Sequence, residues 1–221
     1  MSEIQVVLSH AVKLALVAVL AGLAARGRAR LCWSFAAYLV AILVGNSLAS
    51  LWPSRFYTPG FWVLKQAVYD VLKMAVGLEL AWRAFEKFPG AMRTARGTLL
   101  ALLAASTLVL AALTPPSSYA TLWDWQPSSA TAALWLLTAT ALLVVWYQVP
   151  VHDWQRAIML GLAPYLLVFV TVLDLLKRHG WPALHATAGV VDSVAYLSLL
   201  AFWAWAAWRH DPSPSLAGSP S

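Results

Sequence analysis

Seven long apolar stretches, separated by short loops, run through this chain of 221 residues. They fall at about 4–25, 32–51, 61–84, 98–114, 130–149, 155–176 and 183–207. A helix rises 1.5 Å per residue, so about 20 residues cross a hydrocarbon core of about 30 Å. Strands are excluded by these lengths, and an open sheet edge in lipid would leave backbone N–H and C=O groups unpaired. Residues are 61% hydrophobic and 11% charged, whereas a soluble domain carries about 25% charged residues. A water-soluble fold of this size has too much surface per unit volume to hide so much oil. The expected architecture is therefore all-α, a polytopic membrane bundle of seven transmembrane helices. It forms one domain over residues 1–210, followed by a disordered Pro-, Ser- and Gly-rich cytoplasmic tail over 211–221.

Pro and Gly mark the loops. Pro53 and Thr58-Pro59-Gly60 separate the second and third segments, and Pro89-Gly90 ends the third. Thr114-Pro115-Pro116-Ser117-Ser118 ends the fourth, Pro150 stops the fifth, and Gly180 and Pro182 bracket the last turn. Lys and Arg in the loops give the orientation. Arg26, Arg28, Arg30, Arg83, Lys87, Arg93, Arg96, Arg156 and Arg209 make nine on one face, against Arg55, Lys177 and Arg178 on the other. That excess predicts an outside N-terminus and a cytoplasmic C-terminus. Trp and Tyr near the boundaries, such as Trp52, Trp62, Trp146 and Trp208, fit interfacial anchoring. Ala-, Leu-, Arg- and Trp-rich usage is that of a GC-rich bacterial genome, which points to a cell inner (plasma) membrane.

The net charge of +6 sits at helix ends, where a bilayer places it, so nucleic acid is not an expected partner. The lone Cys32 forms no internal disulfide and no cysteine-based zinc site. The first apolar run is followed, not preceded, by its basic cluster, unlike a cleaved leader. The histidines (His10, His152, His179, His185 and His210) do not pair at the i, i+4 spacing that helical metal sites favour. No metal or cofactor is expected.

Ionisable groups inside a bilayer cost about 2.5–3.5 kcal/mol each at a helix centre and are functional candidates by default. The third segment carries the densest set. Gln66, Asp70, Lys73 and Gly77 follow one helical face, and Asp70 and Lys73 are spaced to pair. A register-pinning ion pair is one reading of them; a polar-ligand or proton-relay site is the other. Asp192 lies near mid-depth of the last segment with Tyr196 four residues on. That pair reads either as a protonated acid bonded to a neighbouring helix or as part of the same site. Lys13 is near the centre of the first segment and needs a partner, for which Asp70 or Asp192 is the candidate. Glu79 and Arg83 are spaced for a structural salt bridge at the cytoplasmic end. Pro164 is expected to kink the sixth segment and free the Leu160 carbonyl. Lys65 is read as snorkelling to the outer interface.

A seven-helix plan with an outside N-terminus brings retinal proteins to mind, but the last segment, Pro182 to Trp208, has no lysine for a Schiff base. The clustered His and Asp ligands of membrane hydrolases are also missing. Three function classes remain. The first is a receptor-like or accessory module that binds a small or lipidic ligand and acts through a membrane or cytoplasmic protein partner. The second is a proton-coupled transporter or channel using Asp70, Lys73 and Asp192. The third is an intramembrane lipid-modifying enzyme, ranked last because no nucleophile–base pair stands at readable spacing and no catalytic residue can be named.

Overall fold

Six long helices account for most of the described chain. The computed structural model describes residues 3–56, 58–86, 97–98, 101, 119–179 and 181–209. Helix α1 spans Glu3–Ala25, α2 Trp33–Leu51, α3 Pro59–Phe85, α4 Tyr119–Trp146, α5 Asp153–His179 and α6 Trp181–Trp208. A 3-10 turn, Arg28–Leu31, leads into α2, and one helical turn, Pro53–Phe56, leads out of it. No strand occurs among the described residues.

Local chemistry explains the boundaries. Gly27 turns the chain after α1 with φ 63°, a left-handed conformation that costs glycine little. Helix α3 opens with Thr58 as its cap, whose Oγ1 accepts from the Phe61 N–H at 3.3 Å. Pro59 follows at the first helical position, where its missing N–H costs nothing.

Each helix packs on the next in chain order, and α6 returns to α1, so the helices form a closed ring. Inside the ring, the Phe35 ring stands edge-on to Trp154 and Trp203, with centroids 5.7 and 4.7 Å away. Helices α5 and α6 meet closely at Gly161. A Cβ there would lie 2.6 Å from Trp203 Nε1, so only glycine admits the indole, which donates to the Ala157 carbonyl at 3.2 Å.

The outside of the ring is as oily as the inside. Leu14, Val44, Leu51, Trp135, Val145 and Trp146 are all exposed. Five helical stretches are long and apolar enough to cross a membrane: Val7–Ala25, Trp33–Leu51, Gln126–Trp146, Asp153–Arg178 and Thr187–Trp208. Only 22–33% of each stretch's most apolar window is buried inside the protein, so a self-contained core does not shelter these residues. A contiguous apolar exterior of this kind belongs in lipid, and the chain is a multi-pass membrane protein.

The third segment differs from these five. Helix α3 has 27 residues, enough to span at 1.5 Å per residue, but Lys65, Asp70, Lys73, Glu79 and Arg83 hold its apolarity below theirs. The fourth segment, 98–114, lies outside the described residues apart from 98 and 101, as do the basic loop carrying Lys87, Arg93 and Arg96, the prolines of 114–118, Gly180 and the tail 211–221. Helix α4 starts well before Ala130, where its apolar run begins, and carries Pro127 inside it. Ser129 and Thr131 hydroxyls donate back to the Gln126 and Pro127 carbonyls there, at 3.0 and 2.7 Å. Helix α5 likewise continues through Pro164, whose ring has no N–H to offer the Leu160 carbonyl.

Candidate functional site

The polar face of α3 points into the ring. Gln66, Asp70 and Lys73 are buried, with 9%, 2% and 4% of their surface exposed. Asp70 and Lys73 form an ion pair one helical turn apart. Gln66 and, from α4, Ser129 face the same carboxylate. Such a pair costs less in lipid than either charge alone, because each offsets part of the other's lost hydration. Gly77, next along this face, lies where a Cβ would come within 2.8 Å of Leu136 Cδ2, so below Lys73 the face is closed by α4.

Helix α6 brings Asp192 towards the same interior. Its carboxylate accepts from the Tyr165 hydroxyl of α5 at 3.3 Å. The Tyr165 and Tyr196 rings lie 5.2 Å apart. The Tyr196 hydroxyl is buried and has no hydrogen-bond partner among the described residues, an arrangement that ordinarily costs about 1–3 kcal/mol.

Between these groups is a cavity of about 380 Å³. Helix α2 contributes Tyr38 and Asn46; α3 contributes Trp62, Lys65, Gln66, Tyr69 and Lys73; α5 contributes Tyr165 and Phe169; α6 contributes Gly189, Asp192 and Tyr196. Cations and rings are in register. Lys65 Nζ lies 4.0 Å from the Trp62 ring centroid and Lys73 Nζ 5.1 Å from that of Phe169, both within cation–π range. Lys65 also donates to Asn46 Oδ1 at 3.5 Å. The cavity occupies the arginine-poor half of the ring, where the turn after α2 and the α5–α6 link lie. An aromatic hollow with a few convergent polar groups is the usual form of a small-ligand site.

Gln66, Asp70, Lys73, Asp192 and Tyr196 thus come together, and Lys13 does not. Among the described residues, none of α1 lines the cavity. Lys13 instead reaches along the ring to the end of α2 and donates to Ser50 Oγ at 2.7 Å. Its expected pairing with Asp70 or Asp192 is therefore corrected. Those acids are met by Lys73 and Tyr165, and the long lysine stem lets its ammonium leave the helix centre. The cavity also includes Lys65, Asn46, Tyr38, Tyr165 and Phe169, which sequence reasoning left out. One usable signal was present, since Tyr165 and Phe169 are four apart and share a helical face with their rings stacked at 6.0 Å.

The arginine-rich half uses its polar groups differently. Arg28 is buried and donates to carbonyls at and just past the end of α6, at 2.6 Å to Ala206, 3.0 Å to Ala207 and 2.8 Å to Arg209. A cation at a helix C-terminus meets the negative end of its dipole. Glu79 of α3 does the converse for α2. It accepts from the Ser34 N–H at 2.9 Å and the Ser34 hydroxyl at 2.5 Å, while Arg83 holds it at 2.7 Å. Gln155 donates to the Leu31 carbonyl at 3.1 Å. A second cavity of about 300 Å³ lies here, lined by Arg28, Arg156 and Arg209, but its buried arginine is already engaged in closing α6.

Among the described residues, no three His, Cys, Asp or Glu side chains come together to hold a metal ion. The chain matches no protein-family model, no curated protein and no solved structure.

Proposed function

We propose that this membrane protein is a receptor-like or accessory module of the cell inner membrane. It binds a small or lipidic ligand in the cavity between α2, α3, α5 and α6 and acts through a partner protein on the arginine-rich face. The observation that carries this reading is the Tyr196 hydroxyl, buried without a partner among the described residues beside a cavity of about 380 Å³. A polar group left unsatisfied in lipid is costly, and a ligand atom would satisfy it. The nine-to-three excess of basic residues supports placing the cavity in the outer half and the partner inside.

Gly189 provides the test. It lines the cavity, and a Cβ there meets nothing within 4 Å, so Gly189→Phe fills the space without a backbone clash. Native mass spectrometry of the purified full chain should find a retained small molecule or lipid on the wild type and lose it on Gly189→Phe. The same retained mass on both proteins would overturn the reading.

A second reading, proton-coupled transport, is favoured by one observation: Lys73 and Asp192 line the same cavity, with Asp70 bonded to Lys73. It expects Asp192→Asn to abolish pH-driven flux in liposomes, and unchanged flux would remove it.

A further inference from the structure

The charges around the cavity do not cancel in place. Asp70 and Lys73 neutralise each other by direct contact. Lys65 and Asp192 remain. Lys65 is held by the Asn46 amide oxygen and the faces of Trp62 and Tyr69; Asp192 accepts from the Tyr165 phenol and feels the Lys73 charge through space. Neither enters an ion pair among the described residues, although both line one cavity. They also stand at different points along their helices. Lys65 is six residues into α3 and Asp192 eleven into α6; at 1.5 Å per residue these are about 9 Å and about 16 Å from the starts of their own helices. Two opposite charges held apart in a low-dielectric cavity cost free energy that a molecule carrying both charges would recover.

We propose that the cavity takes a zwitterion. This rests on the ligand-binding reading above and names its substrate class. The ammonium group lies against the Asp192 carboxylate and the faces of Tyr165 and Tyr196, the combination that recognises organic cations. The anionic group lies on Lys65 and the Asn46 side-chain amide. The Tyr196 hydroxyl supplies the remaining hydrogen bond. A purely anionic ligand would leave Asp192 facing its own sign, and a purely cationic one would do the same to Lys65.

Free phosphoethanolamine and the headgroup of phosphatidylethanolamine share this chemistry, and titration calorimetry on the full chain in maltoside micelles separates them. The probes are phosphoethanolamine, short-chain phosphatidylethanolamine, ethanolamine as the cation alone, and short-chain phosphatidylglycerol as the anion alone. The expected result is that at least one zwitterion binds tenfold or more tightly than either single-charge probe. Phosphoethanolamine binding on its own identifies a water-soluble ligand; binding by phosphatidylethanolamine alone identifies a lipid. Asp192→Asn and Lys65→Gln should each weaken the zwitterion by tenfold or more. Asp192→Asn should also bring phosphatidylethanolamine level with phosphatidylglycerol, an effect that general loosening of the fold would not produce. If the wild type binds phosphatidylethanolamine and phosphatidylglycerol equally while Gly189→Phe binds neither, the zwitterion is overturned and ligand binding stands. If Asp192→Asn binds the zwitterion as the wild type does, the proposed ammonium site is overturned. If wild type and Gly189→Phe bind every probe alike, both readings fall.

Discussion

The two halves of the helical ring hold similar polar residues and use them in opposite ways. In the arginine-rich half, Arg28, Glu79 and Gln155 are committed to backbone groups of other elements: the end of α6, the start of α2 and the 3-10 turn. In the other half, Asp192 and Tyr196 face a cavity, with the Asp70–Lys73 pair at its wall. Polar groups spent on helix ends hold the ring together. Polar groups left facing a hollow are available to something that enters it. On this comparison, substitutions in the first half should cost stability and spare binding, while those facing the hollow should do the reverse.

The largest effect tests the boundary between the two roles. Lys73→Met leaves a buried carboxylate alone and should cost about 3–5 kcal/mol, read from unfolding in mixed detergent micelles by circular dichroism. Adding Asp70→Asn should recover most of that loss. A single variant as stable as the wild type would mean that this pair is not part of the framework. Next comes Arg28→Ala, which strips a charged donor from three carbonyls and should cost about 2 kcal/mol. Its ligand binding should be unchanged; a binding loss as large as the stability loss would break the comparison. Glu79→Gln keeps an acceptor for Ser34 but loses the charge facing Arg83, for a loss of about 1 kcal/mol in the same assay. The smallest stability effect belongs to Tyr196→Phe. Removing an unpaired buried hydroxyl should leave stability within about 0.5 kcal/mol or raise it, while ligand binding weakens. Unaltered binding would take Tyr196 out of the site.

How much of this could be read from the residues alone depends on whether a feature lies within one helix or between several. The polar face Gln66–Asp70–Lys73 follows from helical spacing, and each of its members is buried. Asp192 and Tyr196 stood out because charge and phenol are rare at mid-depth. The cavity around them did not, because it depends on how α2, α3, α5 and α6 are rotated about their axes, and apolar faces all round leave that rotation unspecified. Lys65 was legible only in part, for the same reason. Its depth suits snorkelling, and only the approach of α2 sets Asn46 against it. Lys13 failed differently. Its flexible stem reaches several partners, so its position near the centre of a segment did not predict its contact with Ser50. The role of Glu79 as a cap for α2 was invisible too, since the amides it receives are 45 and 46 residues away.

The clasp by Arg28 joins the first loop to the end of the last helix, across a sequence separation of 178 to 181 residues. A ribosome adds about 5–20 residues per second, so that loop waits about ten to forty seconds for its carbonyl partners to be made. Until then the growing bundle has an open seam between α1 and the site α6 will fill, and Gly22 presents a gap that Trp208 later occupies. Ring closure therefore waits until α6 has been made. Any chain cut short before α6 leaves the Arg28 guanidinium without these three carbonyls, at an edge that stays unsealed.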